Sequence, residues 1–222
     1  MGTEINGDLY RAIDAKLLEI KKQMLLRNGY PFDPEKLNAF LQRAVEGKWN
    51  DITPCLIGKD GIITFTLPAT DGTTGKNWIP RLESKGYRLC DYAKQVLLSK
   101  DFKPTTGKVN SVTVLKGDLF SDENRVTEKI REEAKKRNLT NLNAETVCLI
   151  RENFSDEELK ATGLMWLVVM HEPIKDSDGA LNLLSVGRDG DGRWTSTYYG
   201  DPDGRWDRDV GFAFATAQGT LS

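Results

Sequence analysis

The chain has 222 residues, 39% hydrophobic and 29% charged, with a formal net charge of −2. That balance suits one large globular domain, or one domain with a helical appendage, and argues against a nucleic-acid-binding role, which favours a basic excess. No run approaches the ~20 apolar residues that cross a bilayer, and the polar N-terminus lacks the basic and apolar regions of a secretory signal, so a cytoplasmic location is expected.

Residues 8–27 carry Leu9, Ile13, Leu17, Ile20, Met24 and Leu25 at helical spacing, and Asn28-Gly29 ends the pattern. Asp33-Pro34 then opens a second helix lined by Leu37, Phe40, Leu41 and Ala44. Residues 1–50 are therefore expected to form an N-terminal helical hairpin. A β-branched run, Gly61 to Leu67, predicts a strand. Helices are expected over Asn77–Lys85 and Leu89–Ser99, broken at Gly86, with a strand from Val109 to Lys116. A charged helix opens at Ser121 and runs to Arg137, another begins at Asn143, and Ser155-Asp156-Glu157-Glu158 caps one more turn.

From Leu164 the character changes. Leu164–Met170 reads as a strand apolar on both faces, followed by strands at Leu181–Val186, Arg193–Tyr199 and Gly211–Thr216. Helices in the middle and strands at the end give an α+β domain over residues 54–222 with a mainly antiparallel small sheet. The strand near Phe65 is expected to pair with the strand near Phe212. Cys55, Cys90 and Cys148 are far apart and lack metal spacing, so they read as reduced, buried small side chains.

All 18 lysines and 14 glutamates precede Asp176. At the same density the remaining 47 residues would hold roughly eight, and they hold none. From Gly187 to Val210 the chain uses only Gly, Asp, Arg, Trp, Tyr, Ser, Thr, Pro and Val. Tyr, Trp and Arg bury large amphipathic area at low entropic cost, while Gly, Ser and Asp adapt to many partners. This vocabulary is that of a binding surface. It does not by itself explain why Glu, Gln, Lys and Met are wholly absent, and a rigid turn region also favours Gly and Asp over Glu and Lys.

The segment Leu183 to Trp194, then Pro202, Arg205-Trp206 and Gly211-Phe212-Ala213-Phe214, resembles the C-terminal variable region of target proteins of diversity-generating retroelements, which have a C-type-lectin-like fold. In that family a template is copied with errors at adenines, so that Asn codons become Asp, Gly, Ser, Tyr, Arg, Val or Thr, while adenine-free codons such as those for Trp and Phe stay fixed. The resemblance covers about the last 40 residues and implies a variable region at 187–210. It implies that Trp194, Trp206, Phe212 and Phe214 are scaffold. The ligand-contacting set is then Arg188, Asp189, Asp191, Arg193, Ser196, Tyr198, Tyr199, Asp201, Asp203, Arg205, Asp207, Arg208, Asp209 and Val210, with Tyr198 and Tyr199 as hot spots. The ligand is expected to be a protein or other macromolecule. No catalytic residue, cofactor or metal is expected.

Rival constellations are weaker. Asp189-Gly190-Asp191-Gly192 begins like a calcium loop, but the twelfth position is Gly200, which cannot ligate. The arginines and aromatics of 188–208 could clamp single strands, yet aspartates outnumber arginines there and repel phosphate. A small enzyme could use His171, the single histidine, with Glu172 or Asp176, which would require His171 to face a solvent cleft. A mobile-element regulator could instead act by docking a host protein through helices 8–46.

Overall fold

The computed structural model describes residues 56–57, 62–154, 156–189 and 192–216, together with isolated positions between 11 and 42. The chain divides into two compact units, Met1–Ile52 and Thr53–Ser222. Arg11, Asp14, Ala15, Leu17, Leu18, Lys21, Lys22 and Gln42 are helical. The expected hairpin otherwise lies outside the described residues.

The second unit is α+β. Its strands are β1 (Leu56–Ile57), β2 (Ile63–Thr66), β3 (Arg88–Leu89), β4 (Ser111–Lys116), β5 (Leu139–Thr140), β6 (Trp166–Val169), β7 (Ile174–Lys175), β8 (Leu181–Asp189), β9 (Gly192–Tyr199) and β10 (Val210–Thr216). The helices are α1 (Gly75–Glu83), α2 (Asp91–Leu98), α3 (Thr127–Lys136), α4 (Thr146–Asn153) and α5 (Asp156–Ala161), with a 3-10 turn at Gly117–Leu119. Among the described residues, no helix is long and apolar enough to cross a membrane.

Among the described residues, the expected small sheet is a mixed sheet of ten strands, in the order β1-β2-β4-β10-β6-β8-β9-β3, with β5 beside β10 and β7 beside β8. Most pairs are antiparallel, but β10 runs parallel to β6 and β3 parallel to β9. The strands at Phe65 and Phe212 are not neighbours. β4 lies between them, pairing Val112 with Phe65 on one side and Leu115 with Phe212 on the other. The last strand is thereby central, and its apolar sequence follows from that position.

Alternation along the central strands builds two cores. Leu167, Val169, Leu184, Val186 and Ala213 face α1, α2 and α4, meeting Trp78, Leu82, Val96, Leu97, Val147 and Ile150. Val168, Met170, Leu183, Phe212 and Phe214 face the other way, against Ile130 and Ala134 of α3 and Trp206. A sheet covered on both faces needs strands apolar on both faces, as Leu164–Met170 reads.

Candidate ligand-binding surface

The surface is built on the β8–β9 hairpin and the loop that follows it. Leu183 pairs with Tyr198, Ser185 with Ser196 and Gly187 with Trp194. By the two-residue period these six share the face of the second core, whereas Thr195, Thr197 and Tyr199 lie on the other. Gly187 is required there. A Cβ on it would lie 2.2 Å from Cε3 of Trp166, whose ring covers the position.

That ring starts an aromatic series. Trp166 meets Tyr198 edge-on at 5.8 Å between centroids, Tyr198 meets Trp206 at 5.3 Å, and Trp206 meets Phe212 at 5.3 Å. Such pairs contribute about 0.5–1.5 kcal/mol beyond their burial. Trp206 is buried, as are Phe212 and Phe214. Trp194 is half-buried, with the Arg88 guanidinium 5.5 Å from its ring.

The loop at 200–209 is tied down by main chain. Gly200 N–H donates to Leu181 O at 2.8 Å, and Trp206 N–H donates to Arg125 O at 3.1 Å. Pro202 O accepts from Glu128 N–H at 2.8 Å, Gly204 O from Thr127 N–H at 3.1 Å, and Asp209 O from Met165 N–H at 2.9 Å. Val126 precedes α3 without a side-chain cap, so two of the N–H groups that every helix start leaves unpaired are satisfied by the loop's own carbonyls. Gly117 lets the loop approach closely. A Cβ there would lie 2.5 Å from Asp207 O.

The expected contact residues separate by position. Arg188, Tyr199, Asp201, Asp203, Arg205, Asp207, Arg208 and Asp209 are exposed, Tyr199 at 66%. Arg208 pairs with Asp122 at 3.1 Å. Hydrogen bonds from Arg125 and then Arg208 hold the Asp122 carboxyl below its usual range. Arg193 is half-buried, its guanidinium 5.0 Å from the Tyr87 ring. Ser196 is half-buried beside Cys90, with Oγ 3.6 Å from Sγ. The Asp189 side chain and Asp191 lie outside the described residues.

Two assignments change. Val210 is not on the surface. It is 3% exposed and packs in the second core, because it opens the central strand β10. Tyr198 is half-buried between Trp166 and Trp206 and is as much scaffold as contact. Its phenol is pushed above the usual range by burial, with Asp207 and Asp209 adding to the effect.

His171 is in the core at 1% exposure, not in a cleft. Its Nε2 accepts the Leu184 N–H at 2.9 Å, so Nδ1 carries the proton and donates to Glu172 O at 2.6 Å. Burial lowers its pKa to about 4. A neutral imidazole with both nitrogens used inside the protein is a structural brace, and the geometry an enzyme based on His171 needs is missing. Among the described residues, no three His, Cys, Asp or Glu side chains converge as a metal site would require. Sequence reasoning missed Arg125, Thr127 and Glu128, whose partners in the loop lie more than 70 positions away and leave no local signal.

No family model, curated protein or solved structure matches the chain.

Proposed function

We propose that the protein is a variable, ligand-binding protein of the kind diversified by retroelements, in which the second unit is a C-type-lectin-like domain presenting a rewritable surface at 187–209. The observation that carries this reading is the anchoring of the 200–209 loop. Apart from the Arg208–Asp122 ion pair, its ties to the frame are main-chain hydrogen bonds and the buried ring of Trp206. Asp201, Asp203, Arg205, Asp207 and Asp209 are exposed and contribute no described side-chain hydrogen bond to the frame. Main-chain ties are indifferent to the side chain carried, and exposed substitutions usually change stability by about 0.5 kcal/mol or less. Residues that can be exchanged at so little cost can be selected for binding alone. Tyr199 supplies an exposed aromatic contact, and the Asp and Arg residues set charge complementarity with a protein or other macromolecular ligand.

The encoding DNA tests the reading. It should carry a near-identical repeat of the 187–210 coding region, close to a reverse-transcriptase gene and differing from it only at adenines. A locus with neither feature contradicts the diversification.

A further inference from the structure

Tyr92, Asp176, Asn182, Thr197, Tyr198 and Tyr199 line a cleft of about 190 Å³ at the end of β9. β3 pairs with β9 at Trp194 and Thr195, and among the described residues no strand continues along that edge. Tyr92 and Tyr199, both lining the cleft, are 46% and 66% exposed. Asp176 is held firmly. Its Oδ1 accepts the main-chain N–H groups of Asp178 and Ala180, both at 2.9 Å, and its Oδ2 accepts Nδ2 of Asn182 at 2.8 Å. Ser177 N–H donates to Gln95 Oε1 at 3.0 Å, fastening the turn to α2. Partial burial pushes the Asp176 carboxyl up, but the hydrogen bonds from Asn182, Ala180, Asp178 and Gly179 outweigh it and hold the group below its usual range. It is therefore an anion at neutral pH. Its hydrogen-bond donors are neutral, and among the described residues no lysine or arginine forms an ion pair with it.

An immobilised carboxylate that no described cation pairs with, beside exposed tyrosine rings, attracts positive charge both by Coulomb's law and through the ring quadrupoles. The volume sets the size of what enters. At about 190 Å³ the cleft falls below the roughly 300 Å³ where small-molecule pockets begin, and it has room for one long side chain. The adjoining loop adds Asp201, Asp203, Asp207 and Asp209 against Arg205 and an Arg208 already paired with Asp122. We propose that this cleft receives an arginine or lysine side chain of the protein ligand, laid against the tyrosine rings with its charge at Asp176. The proposal rests on the ligand-binding reading for the nature of the partner, but the cleft's affinity for a cation is measurable without it.

The test is an NMR titration of the whole chain with N-acetyl-arginine N-methylamide, with the citrulline analogue and tetramethylammonium as comparators. Saturable shifts of amides at 176–182 and 197–199 are expected with the arginine compound and not with citrulline, which keeps the shape and loses the charge. Asp176→Asn, whose one amide oxygen can still accept the Asp178 and Ala180 N–H groups, and Tyr92→Ala, which leaves that turn intact, should each weaken binding by about fivefold or more. Equal binding of citrulline, tighter binding of tetramethylammonium, unchanged affinity in both variants, or no shifts in the cleft would each overturn the proposal. Cation binding in a chain whose locus carries no repeat would leave the cleft standing and remove the diversification. The reverse pairing would do the opposite.

Discussion

The indole N–H of Trp206 donates to Oγ1 of Thr127 at 3.0 Å, with both residues buried. Thr127 also gives its main-chain N–H to Gly204 O at 3.1 Å, so one residue at the start of α3 holds the loop twice. Trp206→Ala should cost about 3–5 kcal/mol, as large buried rings do. Thr127→Val should cost about 1–2 kcal/mol, because it leaves the indole donor buried without a partner. Urea unfolding of Trp206→Phe, Thr127→Val and the double variant should give a coupling energy of about 1 kcal/mol. Strict additivity would show that this hydrogen bond does not hold the loop.

The adjacent tyrosines should behave differently. Tyr198 lies edge-on to Trp166 and tilted against Trp206, and Tyr199 is 66% exposed. Tyr198→Ala is expected to lower stability by about 2–3 kcal/mol, and Tyr199→Ala by less than about 0.5 kcal/mol. Thermal unfolding of the two variants side by side checks this, and equal losses would contradict the assignment of Tyr198 to the scaffold.

His171 makes stability depend on pH. Its pKa in the folded chain is about 4, against an ordinary 6.5, because burial disfavours the imidazolium. The unfolded chain takes up a proton below about pH 6.5, and the folded chain does not until about pH 4. The contribution is therefore complete above pH 6.5 and is lost as pH falls through that window, by up to about 3 kcal/mol. His171→Gln can still accept the Leu184 N–H and cannot titrate. Chemical denaturation from pH 7.5 to 4 should show a smaller loss for the variant than for the wild type, and parallel curves would count against the neutral brace.

Gly117 should not tolerate a methyl group. An added Cβ lies 2.5 Å from Asp207 O and 3.0 Å from the Arg208 and Val210 carbonyls, and main-chain atoms cannot swing aside. Gly117→Ala is expected to cost about 1–3 kcal/mol. Hydrogen exchange should quicken at 204–210 and stay unchanged in the α1–α2 region. A uniform change would mean that the contact is not local to the loop.

Much of the fold was legible in the sequence because periodicity marks elements bounded by Gly, Pro and Asn. β6, β8, β9 and β10 lie within a residue or three of their expected limits. The sheet order was not legible, because it depends on which strands meet across long separations. β5 and β7 have two residues each and no periodicity to read. α3 begins at Thr127 and not Ser121, because its first N–H groups find partners in the distant loop and do not use a local cap. Composition alone marked 187–210 as a surface, yet it could not tell Val210 from its neighbours. Val210 is a permitted residue of the variable set, and its burial comes from the central place of β10 in a sheet order that the sequence does not reveal.

The 200–209 loop should keep its shape whatever its exposed side chains are. Thermal unfolding of a variant with Tyr199, Asp201, Asp203, Arg205, Asp207 and Asp209 all replaced by serine measures this directly. A cooperative transition within about 4 °C of the wild type is expected, roughly 1 kcal/mol for a chain of this size. Loss of the transition, or a fall as large as that of Trp206→Ala, would contradict it.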